Sequence, residues 1–122
     1  MLTDTTFWID LLDERRAGQR GPAHQFLAAH RAQSLRVSIV TWGELAEGVL
    51  SSADLEAVLY QVRLLFLPRQ VAWEASRIQR EVTQRLGEND AWIAATARVW
   101  GLRLVSRDGA FRRVPRLHVV GY

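Results

Sequence analysis

The chain has 122 residues, a length at which one domain is expected. Apolar residues make up 48% of it, with five Trp, so a core can form without staples. The absence of cysteine removes disulfides, thiolate metal sites and a cysteine nucleophile, and suits a reducing compartment. Sixteen basic residues, all Arg, face thirteen acidic ones, for a formal net charge of +3. Arginine suits phosphate, being planar, bidentate and permanently charged, although GC-rich codon usage produces the same composition. No basic and apolar leader follows Met1, and no apolar run approaches the ~20 residues of a membrane span. These features lead to the expectation of a cytoplasmic protein with no membrane partner.

Met1–Asp4 reads as a short strand, followed by an amphipathic helix from about Thr6 to Arg16 with Phe7, Ile9, Leu11 and Leu12 as its apolar positions. Gly18 and Gly21-Pro22 separate it from a helix over roughly Ala23 to Gln33. Leu35–Val40 has the β-branched content of a buried strand. Thr41 and Glu44 have capping-box spacing for a third helix, reaching about Leu50. Ser51-Ser52 restarts the chain into a helix ending near Leu64, and Leu65–Leu67 is a short strand closed by Pro68. Helices are expected from about Val71 to Leu86 and from Asn89 to Trp100, the latter ended by Gly101. Leu102–Ser106 is a strand, Arg107–Arg113 a turn or short helix, and Leu117–Val120 a final strand. No repeat or linker divides the chain, so a single domain over residues 1–122 is expected. The alternation predicts an α/β/α sandwich with a mostly parallel central sheet, in which ligands bind beyond the carboxyl ends of the strands.

Four acidic residues fall at that edge. Asp4 closes the first strand, Glu44 lies in the first helical turn after the second, Asp90 begins a helix, and Asp108 follows the strand Leu102–Ser106. Carboxylates brought together repel one another unless protons or a cation intervene. Mg²⁺ accepts a few carboxylate oxygens and keeps several waters, and such an ion activates water and stabilises a phosphoryl group in transfer. Each residue also has a local reading, Asp90 as an N-cap and Glu44 as the capping-box partner of Thr41. Other chemistries have less support. There is no Gly-x-Gly-x-x-Gly and, without lysine, no Walker-type loop. His24, His30 and His118 are scattered. Trp8, Trp73, Trp92 and Trp100 read as core or interface, and Trp42 stands beside Glu44.

The motifs resemble those of PIN-domain nucleases over the whole chain and in order. Leu2-Thr3-Asp4-Thr5-Thr6-Phe7-Trp8-Ile9-Asp10 is similar to their opening strand and Asp-Thr-Asn/Ser. Ser38-Ile39-Val40-Thr41-Trp42-Gly43-Glu44-Leu45 resembles the glutamate-bearing second motif. Asn89-Asp90-Ala91-Trp92-Ile93-Ala94-Ala95 resembles the third, and Leu104-Val105-Ser106-Arg107-Asp108-Gly109-Ala110-Phe111 the fourth. The nearest group in appearance is the VapC toxins of VapBC toxin–antitoxin pairs.

That resemblance implies a metal-dependent endoribonuclease using Mg²⁺ or Mn²⁺. Asp4, Glu44, Asp90 and Asp108 would form its acidic, metal-holding and catalytic cluster, with Thr6 and Ser106 in support. It further implies structured RNA such as tRNA or rRNA as substrate, a VapB-type antitoxin as inhibitor, and a homodimer. Arg107, Arg112 and Arg113 flank Asp108 and could hold the RNA backbone. Two departures stand out: Thr6 replaces the family's Asn or Ser, and only Gly87-Glu88-Asn89 separates the expected helix end from Asp90. The competing reading is a catalytically weak PIN-fold module that binds RNA or protein; retention of all four carboxylates speaks against it. The apolar surface bearing Trp8, Trp42, Trp73 and Trp100 is the expected antitoxin contact.

Overall fold

A computed structural model describes residues 1–48 and 51–122; the expected helix end at Leu50 lies outside them. The strands are β1 (Leu2–Thr3), β2 (Arg36–Ser38), β3 (Arg63–Leu65), β4 (Leu104–Val105) and β5 (Val119–Val120). The helices are α1 (Thr5–Arg16), α2 (Pro22–Ala29), α3 (Ile39–Gly48), α4 (Ser52–Val58), α5 (Arg69–Glu81) and α6 (Glu88–Val99). The five strands form one parallel sheet in the order β3-β2-β1-β4-β5. This is the expected α/β/α architecture. The chain order reverses between β1 and β4, so the crevice that serves as a binding edge in such sheets opens beside the end of β1.

Side-chain alternation along the strands builds two cores. Leu2, Leu65 and Leu104 pack with Val71, Ile78, Ile93 and Phe111 on the α5–α6 face. Val37 and Val105 pack with Phe7, Trp8, Leu11 and Leu55 on the α1–α2–α4 face. On the first face, the small residues Ala94, Ala95 and Ala97 let α6 lie close to the sheet. The guanidinium of Arg98, shielded from water, ties α6 to α5 through Glu74 at 2.7 Å and Glu81 at 3.0 Å.

Several boundaries differ from the sequence expectation. The second strand ends at Ser38 and α3 begins at Ile39, because the Ser38 hydroxyl accepts the N–H of Val40 and turns the chain early. Thr41 therefore sits inside α3, fully buried, and the Thr41–Glu44 capping box does not form. Gln61 takes a left-handed φ of 67°, which ends the α4 region and starts β3 at Arg63 rather than Leu65; Phe66 is left exposed. The helix expected to reach Leu86 ends at Glu81, and the amide of Gln79 then pins the connection by bonding both the N–H and the C=O of Leu86. The short approach to Asp90 read from the sequence is therefore a longer loop.

Trp8 is also reassigned, because it lies in the core at 1% exposure and cannot belong to a partner surface. Its indole N–H donates to Thr3 Oγ1 at 2.8 Å, and the Thr3 hydroxyl donates to the Arg36 carbonyl at 2.9 Å. Trp73 and Trp100 are the exposed tryptophans, at 64% and 40%. No described helix is long and apolar enough to cross a membrane.

The Thr3 link has a direct test. Thr3→Val keeps the shape but leaves the buried Trp8 N–H without its acceptor, which costs about 1–3 kcal/mol. Urea unfolding should show that loss, and Thr3→Ser should recover most of it; an unchanged midpoint for Thr3→Val would remove Thr3 from the framework behind Asp4.

Candidate active site

Asp4 follows β1 directly and is the N-cap of α1, its Oδ1 accepting the N–H of Phe7 at 2.9 Å. The side chain is buried, at 2% exposure. Its other oxygen, Oδ2, receives a very short hydrogen bond from the hydroxyl of Ser106, which is itself fully buried at the end of β4. Asp4 is thus gripped from its own helix and from the neighbouring strand, and each oxygen, with one donor, keeps lone-pair capacity.

Asp108 is the N-cap of the 3-10 turn Gly109–Arg113, with Oδ1 accepting from the N–H of Ala110 at 2.9 Å. Its own N–H donates to Ser106 Oγ at 3.0 Å, so one serine organises two acidic positions. Asp90 is in the first turn of α6 but is not its cap, a place held by Gly87. Its carboxylate is accordingly free of the capping role that the sequence allowed.

Glu44 projects from α3 and is held by a residue that the sequence reading passed over. The Thr5 hydroxyl lies 2.7 Å from Glu44 Oε1, as donor, and 3.1 Å from Thr41 Oγ1. Thr5 is the residue after Asp4, so the first turn of α1 presents one carboxylate and secures another. Among the described residues, the neighbouring Thr6 makes no side-chain hydrogen bond. A hydroxyl placed immediately after a strand-ending aspartate was the available signal, but only the packing of α1 on α3 decides which of the two threonines uses it.

Electrostatics couples the acidic residues. Burial pushes the Asp4 carboxyl up to about 6, against the hydrogen bonds from Ser106 and Phe7 and reinforced by repulsion from Asp108 and Asp90. Asp90 is raised as well, by burial first and then by Asp108 and Glu44, with Arg113 acting in the opposite direction. Every member of the expected cluster therefore enters the same field. Among the described residues, however, no three acidic or histidine side chains stand close enough to share one ion directly. The donors are hard carboxylate oxygens whose mutual repulsion a divalent cation relieves, a chemistry that fits Mg²⁺ or Mn²⁺ held through few direct ligands and several waters.

The three flanking arginines separate. Arg113 is near enough to Asp90 to affect its titration and bonds to Gln84, while Arg112 is exposed. Arg107 is bound to Asp10: Nε and Nη2 approach its two oxygens at 2.5 and 2.9 Å. The Tyr122 hydroxyl donates to Asp10 Oδ2 at 2.6 Å. Burial alone would raise the Asp10 carboxyl, yet these hydrogen bonds outweigh it and hold it below its ordinary value. Sequence inspection offered no sign of this pairing, whose members are 97 residues apart.

The PIN-domain family model matches residues 1–117. The chain therefore belongs to the PIN-domain family. Ribonuclease VapC4 of Mycobacterium tuberculosis is 34% identical over 97 residues, covering 69% of this chain and 74% of that protein. A toxin–antitoxin complex from Klebsiella pneumoniae contains a chain that superposes with a TM-score of 0.78 at 28% identity, covering 98% of this chain and 94% of the other. A DNA-bound VapBC complex from Salmonella typhimurium gives a TM-score of 0.79 at 23% identity over 98% of this chain and 96% of the other, a likeness of fold. Within the PIN-domain family, the chain groups with the VapC toxins of VapBC pairs.

The raised Asp4 carboxyl has a consequence for stability in chelator. Its proton is held to about pH 6 in the folded state and to about 3.9 when unfolded. Between those values the folded state binds more protons, so the Asp4 contribution to stability falls as pH rises from about 4 to about 6, by about 2–3 kcal/mol, and is level above. Asp90 acts in the same direction. Urea unfolding across this window should show wild type losing stability relative to Asp4→Asn as pH rises; a difference independent of pH would contradict a raised Asp4.

Proposed function

We propose that the chain is a metal-dependent endoribonuclease toxin of a toxin–antitoxin pair, cutting structured RNA of the tRNA or rRNA class. The observation that carries this reading is geometric: beside the point where the sheet order reverses, Ser106 bonds both Asp4 and Asp108, and Thr5, next to Asp4, bonds Glu44. The name of the Mycobacterium tuberculosis relative, a ribonuclease, supports the activity, and the Klebsiella complex supports an antitoxin partner. A VapB-type antitoxin is accordingly proposed as the inhibitor, with a homodimer as the assembly, one PIN domain over residues 1–122, and the cytoplasm as the place of action.

In this reading Asp4, Asp90 and Asp108 hold Mg²⁺ or Mn²⁺, directly or through water, with Glu44 completing the cluster. When bound, the cation supplies charge stabilisation at the scissile phosphate and lowers the pKa of a coordinated water. The chain's own residues set the geometry. Ser106 orients Asp4, and Thr5 holds Glu44 Oε1, leaving the other carboxylate oxygen to orient or deprotonate the attacking water. Arg113, beside Asp90, and the exposed Arg112 are the proposed contacts to the RNA backbone.

The test combines activity with linkage. Asp4→Asn and Asp90→Asn should each reduce Mn²⁺-dependent RNA cleavage by at least roughly a hundredfold while the protein remains folded. Mn²⁺ should raise the wild-type melting temperature and leave that of Asp4→Asn nearly unchanged. Wild-type cleavage rates in both variants would refute the site. RNA binding without cleavage by the wild-type protein in Mn²⁺ would favour the binding module instead.

A further inference from the structure

We propose that Asp10 is a positioning residue for cleavage: by clasping Arg107 it fixes the Ser106–Asp108 turn onto α1 and so sets the acidic cluster. This rests on the reading of Asp4, Glu44, Asp90 and Asp108 as the cleavage site.

The turn needs such a restraint. β4 is two residues long, and its last ladder bond runs from the N–H of Ser106 to the Val120 carbonyl at 2.9 Å, so Arg107 and Asp108 lie beyond the sheet. Ser106 then bonds to Asp4, and Asp108 bonds back to Ser106 through its N–H. A rotation in this turn would move both groups together. Arg107 lies between them and reaches α1 at Asp10, six residues beyond Asp4, or about 9 Å along a helix. Two consecutive residues of the turn therefore grip the same rigid helix at two points, Ser106 at its N-cap and Arg107 further along.

The geometry is more restrictive than that of an ordinary surface pair. Arg107 makes two bonds to one carboxylate, a fork that defines orientation as well as distance. Tyr122 adds a third donor to the same carboxylate. Its ring is fixed edge-on against Phe7, with centroids 5.1 Å apart, and Phe7 is the residue whose N–H donates to the capping carboxylate of Asp4. The Asp10 side chain is only 19% exposed, whereas that of Arg107 is 60% exposed. The carboxylate is thus the more buried partner, holding three donors, and the arginine reaches it from a more exposed position.

A double-mutant cycle in single-turnover RNA cleavage with Mn²⁺ tests this on the full chain. Asp10→Asn and Arg107→Gln should each lower the maximal rate by roughly tenfold with the half-saturating RNA concentration unchanged, and the double variant should be no slower than the worse single one. Tyr122→Phe, which keeps the ring packing, should give a smaller loss of the same kind. Multiplying losses would overturn the proposal, as would wild-type rates in both single variants alongside an inactive Asp4→Asn control. A raised half-saturating RNA concentration for Arg107→Gln, with Asp10→Asn unaffected, would instead make Arg107 a phosphate contact. Amide hydrogen exchange separates the clamp from the site reading. Asp10→Asn should speed exchange at Ser106 and Asp108 whether or not Asp4→Asn abolishes cleavage, and unchanged exchange there would end the proposal.

Discussion

Asp4 ends the central strand of the parallel sheet with its carboxylate almost wholly removed from water, and much of the fold deals with the cost of a charge in that position. Two fixed donors partly replace its hydration, the N–H of Phe7 and the hydroxyl of Ser106. They do not offset the burial in full, because the carboxyl still holds its proton to about pH 6. Asp108 and Asp90 add repulsion where a structural aspartate would have gained a cationic neighbour. The arginine nearest in sequence to Asp108 is tied to Asp10 instead. Asp4 is thus a buried carboxylate that receives two hydrogen bonds and the repulsion of two neighbouring carboxylates.

The scaffold meets this demand with short elements. Each strand contributes two or three residues, enough to set register but not to stiffen the loops that follow. Rigidity comes from side chains that cross between elements: Trp8 to Thr3 to the Arg36 backbone, Gln79 to Leu86, and Thr5 to Glu44. Arg98 locks α5 to α6, the helix that carries Asp90, through Glu74 and Glu81. Asp4 and Glu44 are therefore each backed by a hydroxyl from another element, and Asp90 by the anchoring of its helix, the arrangement by which sites on small folds are held to working geometry.

The sequence alone determined the class of fold and singled out four acidic positions where its elements begin or end. Alternating β-branched strands and amphipathic helices specify an α/β sandwich, because each element must bury one face. Asp4, Glu44, Asp90 and Asp108 stood out because each occurs where a strand or helix pattern begins or ends, and the chain runs through those points in the order seen in related motifs. Such features are local, and local features survive in one dimension.

Tertiary structure decided the rest, since it depended on residues far apart in the chain. Whether Thr41 capped α3 or was buried within it depended on Ser38 turning the backbone two residues early. Whether Thr5 or Thr6 served the cluster depended on which side of α1 faces α3. The end of α5 at Glu81, and hence the loop before Asp90, follows from a side-chain amide that competes with continued helix. Arg107 stood out only for its place beside Asp108, and its bond to a carboxylate 97 residues away was set by packing. Periodicity and spacing report which face of an element is buried; only the packed chain brings together the partners that give a polar side chain its direction and its charge.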